Sequence, residues 1–189
     1  MKTVRSIRGL ALTGVAALGL IAMTPAVAES DFDTGNNPSA SARLDFEVII
    51  PRFISFQVGS AGSTVDKVTF NVAGTDVGNG NAVAGSNAVA VTLLGNVGNI
   101  DLVGTTTGPL DNGSGGTLSW TQITSNSSDA GLAAPDLVDG AASATVVVTP
   151  NVGTSVVNRT ANWSFLYEND NIVGAGTYEG QVVYTASMP

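Results

Sequence analysis

Residues 44–59 read LDFEVIIPRFISFQVG. Leu44, Phe46, Val48 and Ile50 share one parity, with Asp45 and Glu47 between them. Beyond a break at Arg52-Phe53 the same parity resumes with Ile54, Phe56 and Val58, against Ser55 and Gln57. Apolar and polar residues alternating with a period of two mark a half-buried β-strand. Pro51 interrupts the run on the odd, outward register. Proline has no N–H for a strand ladder, so it is tolerated at sheet edges and bulges rather than in central strands. The pattern predicts two strands, Ala42–Ile50 and Phe53–Val58. They are expected to form one long strand bent at an edge bulge, its halves pairing with different sheets. The missing donor also discourages uncontrolled pairing at that edge.

The same period runs outward along the chain. In Val65–Val72, Val68, Phe70 and Val72 alternate with Val65, Lys67 and Thr69. A Gly/Asn-rich segment with a short duplication, NAVAGS then NAVAVT, reads as a loop into a strand at Ala88–Leu94. Strands at Ile100–Thr105 and Leu118–Ile123 flank the turn TGPLDNGSGG, and a long loop, TSNSSDAGLAAPDLVDGAA, follows. Strands Ala144–Thr149, Thr160–Tyr167 and Thr177–Ala186 complete the set. After the first 28 residues no segment holds a 3.6-residue period, and β-branched residues and glycine dominate. About nine short strands between turn signals predict an all-β fold, an antiparallel β-sandwich in a single domain.

Ahead of these strands stand two other segments. Lys2, Arg5 and Arg8 precede an apolar stretch from Gly9 to Met23, and Ala26-Val27-Ala28 is a small-x-small site. This is the pattern of a secretory signal peptide over residues 1–28, so the expectation is export to the cell surface or extracellular space, with the periplasm as transit. Residues 29–41, ESDFDTGNNPSAS, read as a flexible acidic arm, leaving 42–189 for the β-sandwich domain. Four basic residues (Arg43, Arg52, Lys67, Arg159) follow residue 28 against all fifteen acids, a net charge of −11 over 29–189. A surface of that sign repels nucleic acid and anionic membrane. No second long apolar run follows the leader, so no membrane span is expected in the mature chain.

The chain has no Cys and no His. That removes disulfides, thiol nucleophiles, imidazole bases and the usual zinc, copper and iron ligands. Asp31-x-Asp33-x-Gly35-Asn36-Asn37 has the alternating oxygen donors of a calcium loop, but Ser41 and Ala42 stand where a closing bidentate acid belongs. It reads as a solvated arm. Asp111-Asn112-Gly113 and Glu168-Asn169-Asp170-Asn171 read as turn chemistry, with calcium bridging between loops left open. Serines have no histidine to activate them, and Lys67, the single lysine after residue 28, sits on an alternating strand and is expected to face solvent. No catalytic, cofactor or metal site is therefore assigned. Trp163, in phase with Phe165 and Tyr167, is expected in the core, and Trp120, on a mixed face, at the core rim or an edge.

The chain closes with GTYEGQVVYTASMP, residues 176–189. Its Gly176-x-Tyr178-x-Gly180-x-Val182-x-Tyr184 strand resembles the last strand of bacterial surface β-sandwich proteins, such as fimbrial and coat-type subunits. It is also similar to the end of the WxL cell-wall-binding domain. Fimbrial and coat subunits often carry a disulfide, which is absent here, and the two tryptophans read Trp120-Thr-Gln and Trp163-Ser-Phe rather than Trp-x-Leu. The resemblance implies a secreted, non-enzymatic structural subunit of a surface assembly. Its expected partners are further copies or other surface proteins. The alternative is a cell-wall or polysaccharide binding module, assisted by calcium.

Overall fold

The computed structural model describes residues 29–62, 64–151 and 153–189. The expected signal peptide lies outside them. The chain divides between Ile49 and Ile50 into two units.

In the first unit, residues 29–49 are exposed throughout and form no strand. Their only order is local. The Asp33 carboxylate accepts from the Ser39 N–H at 3.1 Å and the Asp31 carboxylate from the Ser41 N–H at 3.3 Å. Arg43 forks onto Glu29, its Nε donating at 2.6 Å and its Nη2 at 3.0 Å.

The second unit, residues 50–189, is all β, with antiparallel pairing throughout. Its strands are β1 Ile54–Val58, β2 Val83–Ala84, β3 Val89–Gly95, β4 Ile100–Thr106 and β5 Leu110–Asp111, followed by β6 Thr117–Leu118, β7 Ile123–Ser127, β8 Val146–Val148, β9 Val157–Tyr167 and β10 Val182–Ser187. The longest, β9, is the hub. It pairs with β3 and β2 along one edge and with β7 along the other, and β1 closes the sheet against β3. A second sheet runs β10-β4-β8, and β5 pairs with β6 in a small ribbon.

Alternation explains which residues face inward. In β9 Val157, Ala161, Trp163, Phe165 and Tyr167 are buried while Asn158, Thr160, Asn162 and Ser164 are exposed. In β3 Val89, Val91 and Leu93 are buried, and in β4 Ile100 and Leu102. One apolar cluster draws on both larger sheets. At its centre Trp163 is fully buried, its indole N–H donating to the Leu132 carbonyl at 3.0 Å. The Tyr184 ring of β10 meets it edge-on, centroids 5.1 Å apart. This geometry joins an aromatic pair beyond simple area burial.

Several expected strands take other forms. No strand forms over Ala42–Phe53, so Pro51 lies ahead of the first strand rather than at a bulge within one. The period-two pattern of Leu44–Ile50 is a demand for a partner strand, and none is present among the described residues. Val65–Val72 forms no strand, yet Val68, Phe70 and Val72 are half-buried between exposed neighbours as the pattern predicts. Its backbone link to the sheet is the Ser86 N–H donating to the Thr69 carbonyl at 2.9 Å. Leu118–Ile123 is broken by a 3-10 turn at Trp120–Gln122, capped by the Ser119 hydroxyl. Part of the expected long loop is instead β7. Its Ser125 and Ser127 sit in half-buried positions, where the polar sequence ITSNS carries no apolar alternation to betray it.

Candidate functional site

Two surfaces stand out. The first is the apolar strip of residues 44–50. Leu44, Phe46, Val48, Ile49 and Ile50 are 73–86% exposed, far from the burial their side chains favour. Contiguous exposed apolar surface of this kind marks an interaction site.

The second is a groove of about 1570 Å³ in residues 50–189. One wall is Phe56 and Val58 of β1, continued by Val68, Phe70 and Val72 of residues 65–72. The other is Tyr178, Val182 and Tyr184. Trp120, Ile123, Phe165 and Tyr167 form part of the lining between them. Both walls have one backbone edge engaged. Glu179 exchanges backbone hydrogen bonds with Asp111 at 2.9 and 3.0 Å, and Val182–Ser187 pairs in register with Asp101–Thr106. The opposite edge of residues 179–187 has no ladder partner among the described residues.

Two close fits shape the groove. A Cβ on Gly180 would stand 2.6 Å from Cζ2 of Trp120, so a glycine is what lets the indole lie against this wall. Trp120 is held there by its indole N–H donating to the Gly108 carbonyl at 2.8 Å and its backbone N–H donating to Asp139 at 2.7 Å. Across the groove, Lys67 Nζ and Glu179 Oε1 meet at 2.6 Å, with both side chains exposed. The hydrogen bond from Lys67 holds the Glu179 carboxyl below its ordinary pKa. Burial pushes the Tyr184 phenol up to about 12.

The sequence-level candidates are scattered. Asp31 and Asp33 lie in the exposed arm, bonded to backbone N–H groups of that same arm. Asn112 caps its own turn, its Oδ1 accepting from Ser114 and Gly116 N–H at 3.0 and 2.9 Å. Among the described residues no three acidic side chains gather to hold a metal ion. Lys67 is exposed, and both tryptophans are buried. The groove's two acids, Asp66 and Glu179, are each engaged, Asp66 accepting the Ser60 N–H at 2.6 Å.

Two residues matter more than their sequence context suggests. Asn169 is a turn residue at φ 56°, as its type allows, yet it is buried and clamps a distant loop. Its Nδ2 donates to the Asp76 carbonyl at 2.7 Å and to Asn79 Oδ1 at 3.1 Å, and its Oδ1 accepts from the Gly78 N–H at 2.9 Å. Asn96 holds the chain ahead of β1. Its Nδ2 donates to the Pro51 carbonyl and its Oδ1 accepts from the Phe53 N–H, both at 2.9 Å. An asparagine among many in Gly/Asn-rich loops gives no local sign of such long-range contacts.

Comparisons with family models, curated proteins and solved structures return no match to this chain. Among the described residues no helix is long and apolar enough to cross a membrane.

Proposed function

We propose that this chain is an exported, non-enzymatic structural subunit of a bacterial surface assembly, fimbria-like or coat-like, built on an antiparallel β-sandwich and joined to its neighbours through β-strand contacts. The observation that carries the reading is the strip Leu44–Ile50. It is strand-patterned and apolar, yet exposed and without a sheet. Edge strands and unpaired apolar strands invite added strands, the commonest sheet-based mode of recognition. The leader-like residues 1–28, the net acidity and the absence of Cys and His fit an exported protein without thiol or imidazole chemistry. The rival module for polysaccharide would use exposed aromatic platforms; both tryptophans are enclosed, which leaves Phe32, Phe46 and Phe53 as its exposed rings among the described residues.

Electron microscopy and sedimentation of the mature chain across a concentration series test the proposal. Ordered oligomers or filaments are the expected outcome. A species that stays monomeric at every concentration, with no filaments on the native cell, overturns it.

A further inference from the structure

We propose that the turn Asp111-Asn112-Gly113 is a self-modifying site, in which Asn112 cyclises onto the Gly113 nitrogen, sheds ammonia and is hydrolysed to an acidic residue. This chemistry is independent of the assembly role proposed above.

Three sets of contacts converge on the atoms that react. The Gly113 N–H, which must lose its proton to attack, donates to the Asp111 carboxylate. The side-chain carbonyl of Asn112 is held by two donors, its Oδ1 accepting from the Ser114 N–H at 3.0 Å and the Gly116 N–H at 2.9 Å. The departing Nδ2 faces two glycines. A Cβ on Gly116 would stand 2.5 Å from it and a Cβ on Gly176 3.2 Å, so both positions leave the amide its room. Gly113 holds φ 71° and brings no side chain to hinder the attack.

The frame around these atoms is fixed. Leu110–Asp111 pairs with Thr117–Leu118, and Asp111 exchanges backbone hydrogen bonds with Glu179 at 2.9 and 3.0 Å. Groups held in place before the reaction are where intramolecular chemistry gains its rate. Asp111, Gly113 and Ser114 are exposed, so water reaches the product ring.

The Asp111 carboxylate takes the Gly113 amide proton as the nitrogen attacks Asn112 Cγ. A C–N bond forms and negative charge moves onto Oδ1, where the Ser114 and Gly116 N–H groups stabilise it as an oxyanion hole does. Collapse breaks the Cγ–Nδ2 bond, and Nδ2 takes the proton from Asp111 and leaves as ammonia. Water opens the cyclic imide at either carbonyl, giving aspartate or isoaspartate at position 112. The sum converts an amide and a water into a carboxylic acid and ammonia, with nothing oxidised or reduced. An aspartate carboxylate in this place accepts the same two N–H bonds with a full charge, so the turn holds that product at least as well as the amide.

The chain's second Asn-Gly pair, Asn79-Gly80, supplies the contrast. Asn79 Oδ1 also accepts two bonds, from the Asn81 N–H at 2.8 Å and from Asn169 Nδ2 at 3.1 Å. The Gly80 N–H, however, donates to the neutral Asn169 carbonyl at 3.0 Å rather than to a carboxylate. Only the turn at Asn112 places a base on the attacking nitrogen.

The test incubates the purified chain at neutral pH, folded and in urea. Each site is read by mass spectrometry of chymotryptic peptides and by labelling with an isoaspartate methyltransferase. In the folded chain Asn112 is expected to lose ammonia faster than Asn79 by roughly tenfold or more, a fraction of what a positioned proton acceptor contributes. Urea slows Asn112 and speeds Asn79, because it dismantles the reactive contacts of the first and the locks of the second. Asp111→Asn keeps an oxygen for the Gly113 N–H but removes its charge. It is expected to slow Asn112 by a similar factor and to leave Asn79 unchanged. An Asn112 that stays an amide, reacts no faster than Asn79, or reacts faster in urea than in the folded chain overturns the site. A rate at Asn112 untouched by Asp111→Asn overturns it as well, since the fold would then supply no base.

Discussion

Gly180 and Asn169 show how much single residues can carry in a fold without disulfides. At Gly180 an added methyl would overlap the Trp120 ring at 2.6 Å, and Trp120 is pinned by one hydrogen bond from its indole N–H and one from its backbone N–H. Overpacking against a fixed ring costs about 1–3 kcal/mol. Gly180→Ala is therefore expected to lower stability by that amount in urea unfolding, with a changed near-ultraviolet signal from Trp120. Asn169 combines a left-handed backbone with a buried amide that satisfies the loop at 76–81. Asn169→Ala removes those bonds and places a Cβ residue without local side-chain bonding at φ 56°. A loss of about 2–4 kcal/mol is expected from the unpaired groups and the backbone together. Asn169→Gly, which relieves only the backbone, should recover part of it in the same measurement. The opposite result, an Asn169→Gly variant weaker than Asn169→Ala, would mean that the left-handed backbone contributes nothing to the loss and that the amide contacts carry it.

At the scale of elements, ladders and burial part company. The Lys67–Glu179 pair tethers residues 65–72 to the opposite wall, but an ion pair this exposed adds little to stability. Lys67→Ala is expected to leave urea stability close to that of the parent. How far the elements were legible in the sequence follows the same division. Period-two alternation correctly marks the inward residues of β1 and β9, because one apolar core selects them. It also marks Leu44–Ile50 and Val65–Val72, where no ladder forms. Alternation reports which face wants burial and is silent on whether a neighbour is at hand. The polar strand β7 was hidden for the converse reason. It is ordered by pairing with β9, including Ile123↔Tyr167 and Ser127↔Trp163, and its own sequence has little apolar signal. The groove follows from both effects. Its walls are visible as strand patterns, while its vacancy depends on pairings between residues more than a hundred positions apart, which local reading does not reach.

For the whole molecule, the two sides of neutral pH should behave differently. Tyr184 is a half-buried phenol packed against the core, and burial raises its pKa to about 12 from an ordinary 10. Folding favours its protonated form, so its contribution is whole below pH 10. It is lost as pH rises from 10 through 12, where the unfolded chain releases the proton first. Two pH units correspond to about 2–3 kcal/mol. Tyr167, raised chiefly by burial, adds in the same direction. On the acid side, Glu179 has the opposite sign. Its lowered pKa gives a contribution present above the ordinary carboxylate range and lost as pH falls through the lowered value. That group is exposed and its pair is screened by salt, so the acid limb should be shallow and flatten further in high salt. Urea unfolding from pH 9 to 12 is expected to show a steep loss that Tyr184→Phe makes shallower while leaving Tyr167's share.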